Sequence, residues 1–331
     1  MRGVILGRFG EPKDVLDVTD RPMPTPGPGQ VRVRMLAAPV NPSDLMTCRG
    51  TYTKIPSLPF APGYEGVGVV ESAGPGLFGK FLVGRRVAML TGDGGSWQEY
   101  NIIPARQAVP LSDQIPIDQA AMFFVNPTTA YVLTREVLKV PRGEWLLQTA
   151  AGSALGKMVI RLGKHFGFRT ICVVRRSEQA KELIELGADE VIATDEQDLH
   201  ERVMQITRGA GVHYAIDPVA GELGSRVVRC LSPGGRFIVF GTLSHQPLQF
   251  SSRDLMTPGA SIEGFWLGNF MAKLGLLKKL SVVSKVGSLM KAGILVSEIG
   301  KTFTLEEIRE ACVEAERTAR GGKVLLRISQ G

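Results

Sequence analysis

Residues 144–157 read EWLLQTAAGSALGK. A short apolar run ends in Thr, Ala, Gly and Ser, and an apolar pattern of helical period follows over 155–166. A continuous apolar run bounded by turn residues describes a strand buried on both faces, whereas apolar side chains three and four apart describe a helix. A strand that passes through a turn of small residues into a helix lets the backbone come close to a pyrophosphate. The free amides and the dipole of the helix N-terminus favour negative charge there. Gly152, Ser153, Ala154 and Leu155 are the residues this places against such a ligand, and Gly156 lets the helix pack close to its strand. Small residues replace some glycines of the G-x-G-x-x-G pattern, so the flanking sequence has to carry the reading.

The flanking sequence alternates in the same way. RTICVV (169–174), a helical pattern over 177–186, EVIAT (190–194), another around 198–207, YAIDPV (214–219), a third over 222–230 and RFIVFG (236–241) follow one another. Strands alternating with helices form βαβ units and a parallel sheet covered on both faces, so the fold class is α/β with a doubly wound, Rossmann-type domain over 123–267. Ligands of such sheets lie beyond the carboxyl ends of the strands, which nominates Phe240, Gly241, Thr242 and Leu243. The second strand ends in VVRRSE, with Arg175 lying 23 positions after Gly152 (175 minus 152). An acidic residue at this place would bind the ribose hydroxyls of NAD, whereas arginine pairs with the 2′-phosphate of NADP. Arg175, Arg176 and the following Ser177 therefore predict NADPH as cofactor; two solvated surface cations are the plainer alternative.

Residues 1–122 have another rhythm: VRVRMLAAPV, GVGVVES, RRVAML and WQEYNIIP are short β-like runs broken by Gly and Pro, with RPMPTPGPGQ (21–30) as a linking segment. This is a β-rich domain, expected to be completed by residues 268–331, which end in the strand pattern GGKVLLRISQ. A chain of 331 residues suits two domains. The 44% hydrophobic and 21% charged residues are ordinary globular values, with no apolar run of membrane-spanning length and no cleavable leader pattern. The expectation is a cytoplasmic protein without a membrane segment. Four cysteines lie apart without C-x-x-C spacing, which argues against a disulfide framework or a structural metal lobe. The net charge of +7 is dispersed rather than gathered in a block, which disfavours nucleic acid and suits anionic ligands such as a phosphorylated cofactor, coenzyme A or an acidic carrier protein.

VNPSDL (40–45), PGYEGVGVV (62–70), NPTTAY (126–131), AAGSALG (150–156) and LGADEVI (186–192) together resemble the medium-chain dehydrogenase/reductase superfamily over essentially the whole chain. Within it, NPTTAY, VVRR and GFWLGNF (264–270) resemble most the zinc-free 2-enoyl thioester reductases, which act on enoyl-CoA or enoyl-carrier-protein substrates; quinone oxidoreductases share the first set of motifs more than the last. The resemblance implies a GroES-like catalytic domain, a Rossmann domain and a homodimer. It implies NADPH-dependent reduction of the C=C bond of a trans-2-enoyl thioester, with acyl carrier protein as one carrier of the substrate. An NADPH-dependent quinone or small-enone oxidoreductase is the alternative, and a non-enzymatic NADPH-binding protein is an alternative of another class.

The resemblance also implies site residues. Tyr52, in TCRGTYTKIPS, stands where those reductases carry their proton donor; its hydroxyl, with an unperturbed pKa of about 10, is protonated at neutral pH and can donate to an enolate. Asn126 reads locally as a helix N-cap before Pro127 at the first helical position, and the resemblance adds contact with the nicotinamide side of the cofactor, with Thr129 lining the same pocket. Phe265, Trp266 and Leu267 match a segment that contacts cofactor and substrate, although a Trp there also reads as a core or dimer-interface residue. Lys323 matches a lysine placed near the cofactor and reads equally well as a solvated cation beside a turn.

No metal is expected. Catalytic zinc takes about three protein ligands. All four histidines, His165, His200, His213 and His245, lie outside the β-rich domain. Where zinc enzymes of the superfamily carry Cys and His ligands, this chain has Asn41 and Tyr64, and Cys48 with Glu65 would make a poor set. Reducing a C=C bond conjugated to a carbonyl needs no Lewis acid, because hydrogen-bond donors can stabilise the enolate. The role of Glu65 stays open.

Overall fold

The β-rich and the alternating stretches of sequence fold into two compact units, Met1–Asn126 with Val296–Gly331 and Pro127–Leu295. The structure is a computed structural model and describes residues 1–317 and 321–329.

In the first unit the long strand Gln30–Pro39 pairs antiparallel with Glu65–Ala73, Tyr100–Pro104 and Lys323–Arg327. The seven-stranded sheet is extended by Arg86–Leu90 and Val109–Pro110 at one side and by Ile299–Phe303 at the other. Val31, Val33 and Met35 alternate onto one face, where they pack with Val70, Val87, Met89 and Ile103. Val4, Leu6, Trp97, Val324 and Leu326 form a second cluster. Trp97 is fully buried, and its indole N–H, which would otherwise be an unpaired donor in the core, reaches the Pro39 carbonyl at 3.1 Å.

In the second unit six parallel strands lie in the order Glu190–Ala193, Arg169–Val174, Trp145–Gln148, Val212–Asp217, Leu231–Val239 and Ser261–Gly264. Leu147, Ile171, Val173, Ile192, Ala215 and Phe237 bury the sheet interior, each large side chain being worth roughly 1.5–3 kcal/mol against exposure. The helix expected over 155–166 spans Ala154–Phe166. Ser153 caps it by accepting the Gly156 amide at 3.1 Å, and Gly167, left-handed at φ 81°, ends it.

Two expectations are corrected. Residues 268–295, assigned to the first domain, belong to the second unit, and residues 123–126 to the first. The helix Leu276–Lys291 buries Val282, Val286, Leu289 and Met290 along one stripe, and Lys278 pairs with Glu136 at 2.6 Å, so its partners are in the second unit. Asn126 is not an N-cap. Phe124–Thr128 forms a π-helical turn that begins two residues earlier and has Pro127 inside it. Among the described residues no helix is long and apolar enough to cross a membrane.

Candidate functional site

Because the strands of the second unit are parallel, the residues that follow them line one edge of the sheet. Gly152–Leu155 follow the strand ending at Gln148, Arg175–Ser177 the strand ending at Val174, Phe240–Leu243 the strand ending at Val239, and Phe265–Leu267 the strand ending at Gly264. Every cofactor candidate of this unit except Thr129 therefore falls on the carboxyl edge, at which the chain reverses direction across the sheet between the strands ending at Gln148 and Asp217. Thr129 is buried at the start of the helical turn Thr129–Tyr131.

The small-residue turn is built for close approach. Ala150, just ahead of the fingerprint positions, holds the left-handed conformation at φ 48°, which costs an L-residue roughly 1–2 kcal/mol. The Ala151 amide donates to the Val173 carbonyl at 3.1 Å, fixing the turn to the neighbouring strand. A methyl at Gly152 would meet only the amide end of Gln179, at 2.7 Å. The backbone at Gly152 is thus open to a ligand and lies beside the turn that follows the two arginines. Arg175 is exposed and makes no ion pair among the described residues, while Arg176 stands 3.9 Å from Glu178. These groups fit a pyrophosphate and a further phosphate.

Asp217, which the sequence reading passed over, ties the centre of this edge together. It is fully buried, accepts the Thr149 hydroxyl, and takes the amides of Val219 at 2.9 Å and Ala220 at 2.6 Å. Burial pushes its carboxyl above the usual range against the opposing pull of those donors. The following loop is held in turn: Leu243 and Ser244 donate to the carbonyls of Pro218 and Val219 at 3.0 and 2.9 Å. Phe265 stacks obliquely near Phe270, Trp266 is 40% exposed, and Leu267 is buried.

The first unit carries the tyrosines and a buried polar cluster. Tyr52 lies in the loop after the helix Pro42–Cys48, its ring 5.7 Å from that of Tyr64. Partial burial, helped by the negative charge of Asp44, pushes the Tyr52 phenol up, so it stays protonated at neutral pH. The Tyr64 hydroxyl is engaged with the Thr47 hydroxyl at 2.8 Å, and burial pushes it up to about 12.

Behind them, Asp44 accepts the amides of Asn41 at 2.8 Å and Tyr64 at 3.1 Å. Glu65 accepts the Asn41 side-chain amide at 2.8 Å and the backbone amides of Phe124 and Val125 at 3.1 and 2.8 Å. Lys323 donates to the Asn41 side-chain oxygen. At 4% exposure Lys323 is not a solvated cation, which corrects that alternative. Asp44 and Glu65 both sit above ordinary carboxyl values because of burial. A helix N-terminus held by a carboxylate from a strand sixty residues earlier leaves no local sequence signal.

Comparison with known proteins now places the chain. The model of the alcohol dehydrogenase GroES-like domain matches residues 27–113, and that of the zinc-binding dehydrogenase matches residues 154–281. The mitochondrial enoyl-[acyl-carrier-protein] reductase of Schizosaccharomyces pombe is 30% identical over 325 residues, covering 92% of this chain and 87% of that protein. A crystal structure from Bacillus thuringiensis, assigned as an NADPH:quinone reductase, superposes with a TM-score of 0.93 at 34% identity over 98% of both chains. Escherichia coli quinone oxidoreductase complexed with NADPH gives a TM-score of 0.90 at 25% identity over 99% of this chain and 100% of that one.

The zinc in the second model's description does not fit this chain. Asn41 is engaged by Glu65 and Lys323, and Tyr64 by Thr47. Cys48 is fully buried in the apolar cluster that holds Leu6, Val40 and Leu45, and among the described residues no group of three His, Cys, Asp or Glu side chains is placed to hold a metal.

Proposed function

Because this chain belongs to the zinc-free branch of the medium-chain dehydrogenase/reductase superfamily, we propose that it is an NADPH-dependent reductase of trans-2-enoyl thioesters. The observation that carries the reading is Tyr52, a half-buried phenol in the loop after the helix Pro42–Cys48, with its ring 5.7 Å from that of Tyr64, in the unit that resembles the family's catalytic domain. NADPH, when bound, supplies the hydride. Gly152, Ser153, Ala154 and Leu155 hold the pyrophosphate, with Arg175, Arg176 and Ser177 at the 2′-phosphate. Phe240–Leu243 and Phe265–Leu267 border the remaining length of the cofactor, and Asn126 and Thr129 meet the nicotinamide side. The enoyl β-carbon takes the hydride and the C=C bond becomes an enolate. Tyr52 gives its proton to the α-carbon, and water returns a proton to the phenolate.

The adjacent Tyr64 pairs its hydroxyl with that of Thr47, and the family resemblance assigns the proton to Tyr52 rather than to it. Both the Schizosaccharomyces pombe relative and the sequence segment around Tyr52 support the thioester over other acceptors. The second reading, a quinone or small-enone reductase, has the support of the Bacillus thuringiensis structure at 34% identity.

The test is NADPH oxidation measured side by side with crotonyl-CoA, a longer enoyl-CoA, a quinone and a small enone. Turnover of the two thioesters is expected, and activity on the last two alone would replace the thioester reading. Tyr52→Phe should lower turnover of crotonyl-CoA by about 10²–10⁴, the usual contribution of a positioned proton donor. NADPH binding should stay intact. Undiminished turnover would remove Tyr52 from the reaction.

A further inference from the structure

The two residues ahead of Asn126 begin a helical turn, and the amides at such a beginning have no partner within it. Here both are satisfied by one buried carboxylate oxygen, Oε2 of Glu65, at 3.1 Å from the Phe124 nitrogen and 2.8 Å from the Val125 nitrogen. The other oxygen, Oε1, takes the Asn41 Nδ2 amide at 2.8 Å, which forces the Asn41 oxygen to face the Lys323 ammonium. Asn41 and Glu65 are each 1% exposed and Lys323 is 4% exposed, so water does not stand in for a missing partner. The bonds therefore run in one direction, from the lysine to the amide oxygen, from the amide nitrogen to the carboxylate, and from the two backbone amides to the same carboxylate. This is a polarity relay, and each member fixes the orientation of the next.

We infer that Glu65 is a positioning residue for the cofactor site, fastening Phe124 and Val125 through the Asn41–Lys323 relay so that Asn126 is presented in one conformation. The inference rests on the reading that Asn126 meets the nicotinamide. At 1% exposure Glu65 offers no surface to substrate or cofactor. It is the second end of the Phe124–Thr128 turn, contributed by the first residue of the strand Glu65–Ala73. Three donors on one carboxylate, a lysine behind its partner and the absence of a local cap at Asn126 all follow from this single role.

Glu65→Gln tests it. The new amide has one oxygen, which goes to the backbone amides, and its nitrogen then faces Asn41. Asn41 must turn its own oxygen toward that nitrogen and thereby point an N–H at the Lys323 ammonium. A broken relay of charge-assisted bonds should raise the KM for NADPH about tenfold. Hydrogen exchange of the amides at 124 and 125 should speed up in parallel. The double variant Asn41→Asp, Glu65→Gln exchanges carboxylate and amide: the side-chain amide now at position 65 donates to one oxygen of the carboxylate now at position 41, while Lys323 donates to the other. Net charge and every bond are kept, so NADPH KM and amide protection should return to within about threefold of the wild type.

A merely structural glutamate would lower stability in Glu65→Gln, with the double variant restoring it, and would leave the KM for NADPH unmoved in both. Unchanged KM in Glu65→Gln, or a folded double variant with KM still raised, would overturn the inference. If Glu65→Gln alone does not fold, the double variant decides by itself. The KM for NADPH is read with whichever acceptor the enzyme turns over, so a quinone preference would refute the thioester reading and leave this test intact. A wild-type enzyme that ignores NADPH would refute the cofactor reading and this inference together.

Discussion

Gly156→Ala separates packing from ligand approach at the small-residue turn. A methyl at this position would stand 2.4 Å from the Ala151 carbonyl oxygen and 2.7 Å from both the Ala151 carbonyl carbon and Cα, against the 3.4–4 Å of ordinary contact. All three obstacles are backbone. The turn must therefore move by about 1 Å, but Ala151 is fully buried and its amide is bonded to Val173, so there is no room to give. Overpacking of this kind costs about 1–3 kcal/mol. Shifting Gly156 also endangers the Ser153 cap, worth about 1 kcal/mol. Alanine returns up to about 1 kcal/mol of helix propensity. The balance is roughly 1–3 kcal/mol of destabilisation, which at about 2–4 °C per kcal/mol lowers the melting temperature by several degrees. Gly152→Ala is the counterpart: its methyl meets only the movable Gln179 amide, so stability should stay within about 0.5 kcal/mol, while NADPH affinity falls because the methyl occupies the approach. Thermal melts with and without NADPH, and NADPH fluorescence titration, read both quantities. Equal melting of Gly156→Ala and wild type, or a Gly152→Ala variant that binds NADPH normally, would refute the geometry of the turn.

Replacing Arg175 and Arg176 together with Ala should weaken NADPH binding by at least about tenfold, the value of one charge-assisted hydrogen bond, and leave NADH binding unchanged; an equal loss for both cofactors would assign the arginines to something other than the 2′-phosphate. Burial raises Asp44 from its ordinary 3.8 to about 7, with the charge of Glu65 adding and the amides of Asn41 and Tyr64 and the Lys323 ammonium opposing. The folded chain thus binds this proton more tightly than the unfolded one, so the contribution of Asp44 is complete below about pH 4 and is lost as pH rises through about 7, a change of up to about 4 kcal/mol. Stability of wild type relative to Asp44→Asn, from urea melts at about pH 4.5 to 8, a range that brackets the raised value, should fall with rising pH; a flat difference would refute the raised value. Prolonged dialysis against a metal chelator should leave turnover unchanged, and loss of activity restored by zinc would overturn the account of Asn41, Tyr64 and Cys48.

The parallel sheet could be read from the sequence because its strands are buried on both faces and therefore apolar throughout, and because each helix carries its own local signals: Ser153 three residues before Gly156, Gly167 after Phe166. Of the carboxyl-edge candidates, Phe240–Leu243 follow from that sheet, Gly152–Leu155 and Arg175–Ser177 from the small-residue turn and the strand end after it, and Phe265–Leu267 from the family resemblance. What could not be read depends on partners distant in the chain. Asn-Pro at 126–127 satisfies every local rule for a helix start, yet the turn starts earlier because Glu65, sixty positions away, supplies the acceptors that a local cap would have supplied. Residues 276–291 show an amphipathic stripe but not which unit it covers, and the Glu136 that pairs with Lys278 lies 142 positions earlier (278 minus 136). Lys323 beside two glycines reads equally as a solvated cation and as a cofactor neighbour for the same reason: its acceptor, Asn41, is at the other end of the chain. Glu65 sits in the motif GYEGVGVV, where the eye goes first to Tyr64, and its three donors come from residues 41, 124 and 125. A buried carboxylate in a glycine-rich strand start has no local use, so it must be answering donors elsewhere. That is the one sequence-level sign that could have directed attention from the tyrosine to the glutamate.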